Sequence, residues 1–339
     1  MPAGATGPPQ GAHSGTEASA RATELVRGAL GGNRLALARL LTAVENRTPV
    51  AEAALRELYP RAGRAHLVGI TGPPGSGKST LVAAMIGAVR EAGRSVAVIA
   101  VDPSSPITGG ALLGDRVRMQ VHASDPDVFI RSMAARGHAG GLASSTGAAA
   151  AVLDAVGFDL ILLETVGTGQ SEVEVAAAAD TTVVLEAPEM GDEVQAIKAG
   201  LLEVADLVVV NKGDRPGALR TASQLRAMLT AAAPRPARDD RPRPKRPEVL
   251  VTTASTGEGV PALLAALDRH RAAGASDATP AARRVRAEAQ VWAIVGDRLQ
   301  ESLRDVRRGA DTEAVLRDVA EHRLDPYAAA DRLITALDR

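Results

Sequence analysis

The sequence predicts an α/β fold: a mostly parallel central sheet flanked by helices, with a helical extension at each end of the chain. Three observations lead there. From His66 onward, short runs of Val, Ile and Leu alternate with helically spaced segments, the pattern of strands buried on both faces. A glycine-rich turn, Gly72-Pro73-Pro74-Gly75-Ser76-Gly77-Lys78-Ser79, stands between the first such run and the first such helix. On either side of the alternating region the periodicity is helical alone.

Taken in order, residues from Met1 to about Ala20 lack periodicity and read as a disordered tail, bounded at 1–22, with too little apolar surface to offset ordering entropy. Residues 23–62 read as a helical extension. Leu25, Leu30, Leu35, Leu37, Leu40, Leu41 and Val44, then Leu55 and Leu58 after Pro49, suit short amphipathic helices broken at Gly31-Gly32 and between Asn46 and Pro49. The central domain, 63–273, carries candidate strands at Leu67–Thr71, Val96–Val101, Leu160–Leu163, Thr182–Leu185, Leu207–Val210 and Val249–Thr252. Candidate helices between them are Ser79–Ala92, Thr146–Val156, Val194–Glu203 and Leu219–Ala232, and a helix through Leu263, Leu264 and Leu267 closes the domain. Pro234 to Pro247 mixes Pro with both charge signs and reads as a solvated loop. Gly274 to Pro280 reads as a hinge. Beyond it, 280–339 is all helical, with Val291, Ile294, Val295, Leu299 and Leu303, then Val315, Leu316 and Val319, then Leu333, Ile334 and Leu337 at helical spacing. A segment that small must pack on the main domain or on another copy of itself.

Composition narrows the function. Lys plus Arg number 39 against 40 for Asp plus Glu, so no global field draws the chain to nucleic acid, and with one Trp, two Tyr and two Phe there is little for bases to stack on. There is no Cys, which removes disulfides, thiolate metal sites and cysteine nucleophiles and is compatible with a reducing cytoplasm. No stretch approaches the ~20 apolar residues of a membrane span, and no leader pattern opens the chain. The expected location is cytoplasmic, without membrane or nucleic-acid partners.

The chemistry lies in three signals. The turn matches glycine, four residues, glycine, lysine, serine, in the strand-to-helix context that a phosphate-binding loop requires, which makes the central domain a P-loop NTPase. Its glycines let backbone N–H groups of Gly72 through Thr80 point at phosphate oxygens, while Lys78 reaches the β- and γ-phosphates and Ser79 ligates Mg²⁺. A plain glycine turn needs neither Lys78 nor Ser79 at those offsets. The second signal selects the base. Leu207 to Val210 leads into Asn211-Lys212-Gly213-Asp214, and the Asp214 carboxylate can accept two hydrogen bonds from the N–H groups on a guanine edge, a donor pair that adenine lacks. Thr253-Ala254-Ser255 is placed to close over the base from another strand end. The third signal is acidic residues at strand ends: Asp102 after Val98 to Val101, and Glu164 after Leu160 to Leu163. An Asp after a strand often only caps a turn, but beside a phosphate loop these carboxylates can hold Mg²⁺ and orient the attacking water. Gly167 fits a hinge whose N–H senses the γ-phosphate, and Asp115 and Gln170 are further candidates. The expected ligands are therefore GTP, GDP and Mg²⁺, and the expected activity is GTP hydrolysis.

With these motifs in order the chain resembles the MeaB/ArgK family, GTPases that accompany adenosylcobalamin-dependent acyl-CoA mutases such as methylmalonyl-CoA mutase. The resemblance runs through Asn33 to Arg39 with Val44-Glu45-Asn46, the phosphate loop, Val101 to Pro106, Gly114-Asp115-Arg116, and Arg131-Ser132-Met133 with Arg136-Gly137-His138. It continues through Glu164 to Glu172, Gly191 to Gly200, Asn211 to Asp214 and Gly257 to Val260. It implies that Asp102, Asp115 and Glu164 surround Mg²⁺ and the reacting water, that Glu189 to Lys198 is a mobile switch, and that the segment after Pro280 forms a homodimer. It also implies a chaperone that assists assembly, protection or reactivation of the mutase. Thr253-Ala254 replaces the Ser-Ala usual in the family's last base-contacting loop.

Three other roles are weighed against it. Phosphorylation of transport proteins finds no membrane or phosphoacceptor signature. A GTPase metallochaperone for another metalloenzyme stays as the alternative reading, although a nickel-inserting one would need Cys or clustered His, and this chain has no Cys and six scattered His. Asp268-Arg269-His270 starts like a corrinoid-binding loop, but Gly274 falls one residue late and the segment reads as a solvated helix face.

Overall fold

The computed structural model describes residues 10–103, 120–122, 124–135, 141–165, 178–188, 205–231, 247–277 and 280–335. By its internal contacts the chain divides into two compact units, Met1–Arg283 and Arg284–Arg339.

The first unit is a seven-stranded, all-parallel sheet covered by helices on both faces. Its strands are β1 (His66–Thr71), β2 (Val96–Pro103), β3 (Val128–Ala135), β4 (Leu160–Thr165), β5 (Thr181–Glu186), β6 (Leu207–Val210) and β7 (Glu248–Val251). They lie in the order β3-β2-β4-β1-β5-β6-β7. The strand carrying the phosphate loop is thus central, and its C-terminal end opens between β4 and β5, the crevice where ligands of open α/β sheets bind.

On one face lie α1 (Gln10–Leu30), α2 (Arg34–Glu45), α3 (Pro49–Leu58) and α5 (Gly141–Val156), whose Val26, Leu40, Leu41, Leu58 and Leu153 bury with Ile99, Phe129, Met133 and Leu163 of the sheet. On the other face α4 (Lys78–Glu91) and α7 (Val260–Asp277) set Leu81, Met85, Ile86 and Leu263 against Val68, Ile70, Val98 and Leu162. A smaller cluster joins α6 (Ala218–Ala231) to β6 and β7 through Ala222, Leu225, Val208 and Val249.

Local signals set the boundaries. Gly32, at φ 83, turns the chain out of α1, and Asn33 caps α2 by accepting from the Leu35 and Ala36 N–H groups at 3.0 Å each. Thr48 caps α3, with Pro49 at its first position. The outermost strands are also tied from outside: Arg34 donates to the carbonyls of Asp125, Pro126 and Val128 at 3.0, 3.1 and 2.8 Å, and Arg226 donates to that of Val249 at 2.8 Å.

The structure departs from the sequence reading in three places. Helix α1 begins at Gln10, inside the stretch expected to be disordered; its described buried residues, Ala22, Leu25, Val26 and Ala29, all lie from Ala22 onward, and the turns before them continue the same helix. Residues 1–9 lie outside the described ones. Strand β3 was not expected, since Arg131 and Ser132 interrupt its apolar run. The expected hinge from Gly274 is instead the end of α7, which continues to Asp277. The expected helix Val194–Glu203 lies outside the described residues, as does the 234–247 loop apart from Pro247.

The second unit contains most of α8 (Pro280–Arg308), with α9 (Ala310–Ala320) and α10 (Pro326–Thr335). Among its described residues only Thr312 and Ala329 are buried, while Val291, Trp292, Ile294, Leu299, Leu303 and Leu316 are exposed. Among all described residues no helix is long and apolar enough to cross a membrane.

Candidate nucleotide site

The phosphate loop takes its shape from positions that only glycine fits. Gly72 has φ 141, and a Cβ there would lie 2.3 Å from the Leu185 carbonyl oxygen of β5; Gly77 has φ 94, and a Cβ there would lie 2.4 Å from Asn211 Nδ2. The loop is therefore seated against β5 on one side and the Asn211 segment on the other. Helix α4 starts directly at Lys78, so its N-terminal N–H groups and positive dipole end face the loop's concave side. The Lys78 side chain arches back over the loop, Nζ donating to the carbonyls of Gly72 at 2.8 Å and Pro73 at 3.1 Å, which holds a nearly buried ammonium within the loop.

Ser79 Oγ donates to Glu164 Oε1 at 2.6 Å. Glu164 is buried near the end of β4, paired in register with Ile70 of β1 and Ala100 of β2. A hydroxyl and a carboxylate at this separation are hard oxygen donors close enough to occupy adjacent positions on one small cation. Among the described residues no group of three or more His, Asp or Glu gathers to hold a metal. The Ser79 and Glu164 oxygens are of the kind that fits Mg²⁺, a hard cation that binds through few protein oxygens and completes its shell with phosphate and water.

Asn211 joins the halves of the site. It is buried, its Nδ2 donates to the Ser76 carbonyl at 2.9 Å, and its Oδ1 accepts from Thr252 Oγ1 at 3.2 Å and the Ala254 N–H at 3.1 Å. One amide thus ties the phosphate loop to the Thr253–Ser255 segment. Lys212 adds a second tie, Nζ to the Gly75 carbonyl at 2.7 Å, from a left-handed backbone with φ 58. Gly213 permits close packing, since a Cβ would meet Val251 Cγ1 at 2.9 Å, and its N–H donates to the Thr252 carbonyl. Asp214 then emerges exposed. Thr253 pairs with Glu258 across a turn through Thr256 and Gly257, and the turn leaves Ser255 exposed.

The structure thus brings together Gly72 to Thr80, Glu164, Asn211 to Asp214 and Thr253 to Ser255. The Asp102 backbone, one residue before the end of β2, lies at the same edge of the sheet. Its side chain, Asp115, Gly167, Gln170 and Glu189 to Lys198 lie outside what is described. Sequence reasoning passed over Glu186, a buried carboxylate that ends β5 beside the loop strand. The available signal was the one used for Glu164, an acidic residue closing an apolar strand.

A sequence model described as methylmalonyl Co-A mutase-associated GTPase MeaB matches residues 37–307. The chain belongs to the MeaB family. It is a GTPase: it binds guanine nucleotide and hydrolyses GTP to GDP and phosphate. A relative in Pyrococcus abyssi, assigned as a GTPase by name, is 45% identical over 312 residues, covering 92% of this chain and 95% of the relative. The methylmalonic aciduria type A homolog of Caenorhabditis elegans, named as mitochondrial, is 38% identical over 206 residues, 56% of this chain and 52% of that one. Among solved structures, a LAO/AO transport system kinase superposes with a TM-score of 0.65 at 27% identity, covering 94% of this MeaB-family chain and 98% of the other.

Proposed function

We propose that this GTPase is a chaperone of an adenosylcobalamin-dependent acyl-CoA mutase of the methylmalonyl-CoA mutase type, assisting its assembly, protection or reactivation. The carrying observation is membership of a family described by its association with that mutase. The C. elegans relative's name, drawn from a disorder of methylmalonate, supports the same reading.

Within the site, Lys78 and the N–H groups of Gly72 to Thr80 receive the phosphates, and Lys78 neutralises charge on the β- and γ-phosphates as it shifts in transfer. Ser79 and Glu164 would hold Mg²⁺, joined by Asp102 and Asp115 directly or through water, and the cation would supply neutralisation of phosphate charge. Asp102 and Glu164 orient the water that attacks in line. Asp214 accepts the guanine N–H pair, Asn211 and Lys212 keep the base and phosphate segments in register, and Thr253 to Ser255 close over the base. Gly167 carries the γ-phosphate-sensing N–H, and Glu189 to Lys198 act as the switch that the mutase reads.

In this reading residues 63–273 are the GTPase body and 280–339 pair two copies. Support for pairing comes from the second unit, where Val291, Trp292, Ile294, Leu299 and Leu303 of α8 are exposed and, among the described residues, only Thr312 and Ala329 are buried. Truncation before Pro280 is expected to give a nucleotide-binding monomer, and a full-length monomer in sedimentation at micromolar concentration would refute pairing.

The functional test mixes the protein with the mutase from the same cell and follows GTP turnover and cobalamin loading. GTP and GDP forms must differ in affinity for the mutase or in the loading rate they permit, since a ligand shifts an equilibrium only by its differential affinity. No binding, unchanged turnover and nucleotide-independent loading would refute the chaperone role and leave the GTPase in place.

A further inference from the structure

Three stretches that carry the family resemblance have no place in the nucleotide site: Asn33-Arg34 at the start of α2, Val44-Glu45 at its end, and Arg131-Ser132-Met133 in β3. The fold joins them. Arg34 holds the carbonyls at the start of β3, and Glu45, at the other end of the same helix, holds its finish.

Phe129, Arg131 and Met133 alternate onto one face of β3, and the two apolar ones bury in the cluster that includes Leu37, Leu40, Leu41 and Val44 of α2. Arg131 is therefore a cation on the edge of an apolar core. Its Nη2 donates to Glu45 Oε2 at 2.5 Å, and the side chains are only 20% and 14% exposed. The other Glu45 oxygen, Oε1, accepts from the Ala134 N–H at 3.1 Å.

As glue this pair is poor. Both charges lose their hydration, and Arg131 Nε is buried with no hydrogen-bond partner, so an apolar pair of similar volume would fasten α2 at least as well. What an apolar pair cannot supply is a fixed acceptor for the Ala134 N–H. Ala134 is the register partner of Asp102, and Ala135 that of Pro103. On its other side, β2 pairs with β4 up to Val101 opposite Thr165, next to Glu164. The end of β2 is thus held between Glu164's strand and a strand end that α2 anchors.

We propose that Glu45, oriented by Arg131, is a positioning residue for GTP hydrolysis: it fixes the end of β3 and, through the backbone ladder, the end of β2 that carries Asp102. The inference rests on the reading of Asp102 as a carboxylate acting on Mg²⁺ and water. It gives the N-terminal helices a part in catalysis although none of them contributes a residue to the phosphate loop or to the Asn211 and Thr253 segments.

The test compares full-length variants at a temperature where each is folded. Glu45→Ala is expected to lower kcat about tenfold or more, because small displacements of reacting groups are costly, with KM for GTP within about twofold and a higher Mg²⁺ concentration needed for half-maximal rate. Glu45→Gln keeps an acceptor for the Ala134 N–H and is expected to recover most of kcat. Arg34→Ala loosens the same helix at the opposite end of β3 and is the structural control, expected to lower the unfolding midpoint but leave kcat and the Mg²⁺ midpoint unchanged. A wild-type kcat in Glu45→Ala, or an equal fall in Arg34→Ala, overturns the proposal. Should Glu45→Ala not fold, Arg131→Lys takes its place, expected to lose severalfold in kcat at unchanged KM and overturning the proposal if it turns over at the wild-type rate. Asp102→Ala separates the two levels. Wild-type turnover there refutes the reading of Asp102 and the positioning role with it, whereas slow turnover there beside a fully active Glu45→Ala refutes only the positioning role.

Discussion

Asn211→Ala is the substitution with the widest expected consequences, because one buried amide closes both halves of the site. It removes the donor to the Ser76 carbonyl and the acceptor for Thr252 Oγ1 and the Ala254 N–H. Alanine cannot replace any of these, and a buried polar group left unsatisfied costs about 1–3 kcal/mol. Thr252 can rotate its hydroxyl elsewhere, so the uncompensated groups are the Ser76 carbonyl and the Ala254 N–H. The expected loss is roughly 2–5 kcal/mol, less whatever water recovers. With a urea slope of about 2–3 kcal/mol/M, the midpoint should fall by on the order of 1 M. The untied segments should also cost at least about tenfold in GTP affinity, or ~1.4 kcal/mol, since both must be re-ordered on binding. Asn211→Asp keeps the acceptor but turns a carboxylate toward the Ser76 carbonyl, and should be no better. Urea titration followed by calorimetric GTP binding measures both effects. A variant with an unchanged midpoint and unchanged GTP affinity would refute the role of Asn211 as the tie.

Asp214→Ala should lose roughly ten- to a hundredfold in GTP affinity, the worth of a two-bond contact to a base edge at about 1–3 kcal/mol, and with it the preference over ATP in competition binding. Glu164→Ala should slow turnover far more than it weakens binding, while Lys78→Ala should chiefly weaken binding; stopped-flow hydrolysis beside equilibrium titration separates the two. Burial pulls the His66 imidazole, hydrogen-bonded to Thr181 Oγ1 at 2.7 Å, from 6.5 down to about 4. Between those values the unfolded chain takes up a proton that the folded chain refuses, so stability falls as pH drops through that window, by up to about 3 kcal/mol. His66→Gln should flatten the pH dependence of the urea midpoint between pH 7 and 4.5, and an unaltered slope would refute this attribution.

The phosphate loop, the order of strands and helices around it and the Asn211 to Asp214 segment were legible because each is written in consecutive residues. What escaped depends on residues far apart or on small side chains. Strand β3 has Arg131 in its middle, tolerable only because Glu45, 86 residues earlier, meets it. Helix α1 buries alanines, which carry helix propensity but little hydropathy. Beyond its expected place at the nucleotide, Asn211 makes three side-chain hydrogen bonds to protein, a tying role visible only once Ser76 and Ala254 are neighbours in space. Glu186 follows the apolar run of β5 as Glu164 follows that of β4, yet nothing in the local sequence sets this buried carboxylate apart from a turn-capping acid.

The hydrogen bonds from Arg34 and Arg226 to the two outermost strands bear on how the protein behaves in a crowded cell. An open sheet of seven strands has two raw rims, each a row of backbone groups on which another chain could add a strand and begin a fibre. At β3 and at β7 an arginine fork from a neighbouring helix occupies an outward carbonyl, the one on Val128 and the other on Val249. A guanidinium there satisfies the acceptor while presenting charge to any incoming strand. Stripping the chain back to residues 63–273 would remove Arg34 and bare the β3 rim, so such a fragment should aggregate sooner than the full chain even where its nucleotide pocket is intact.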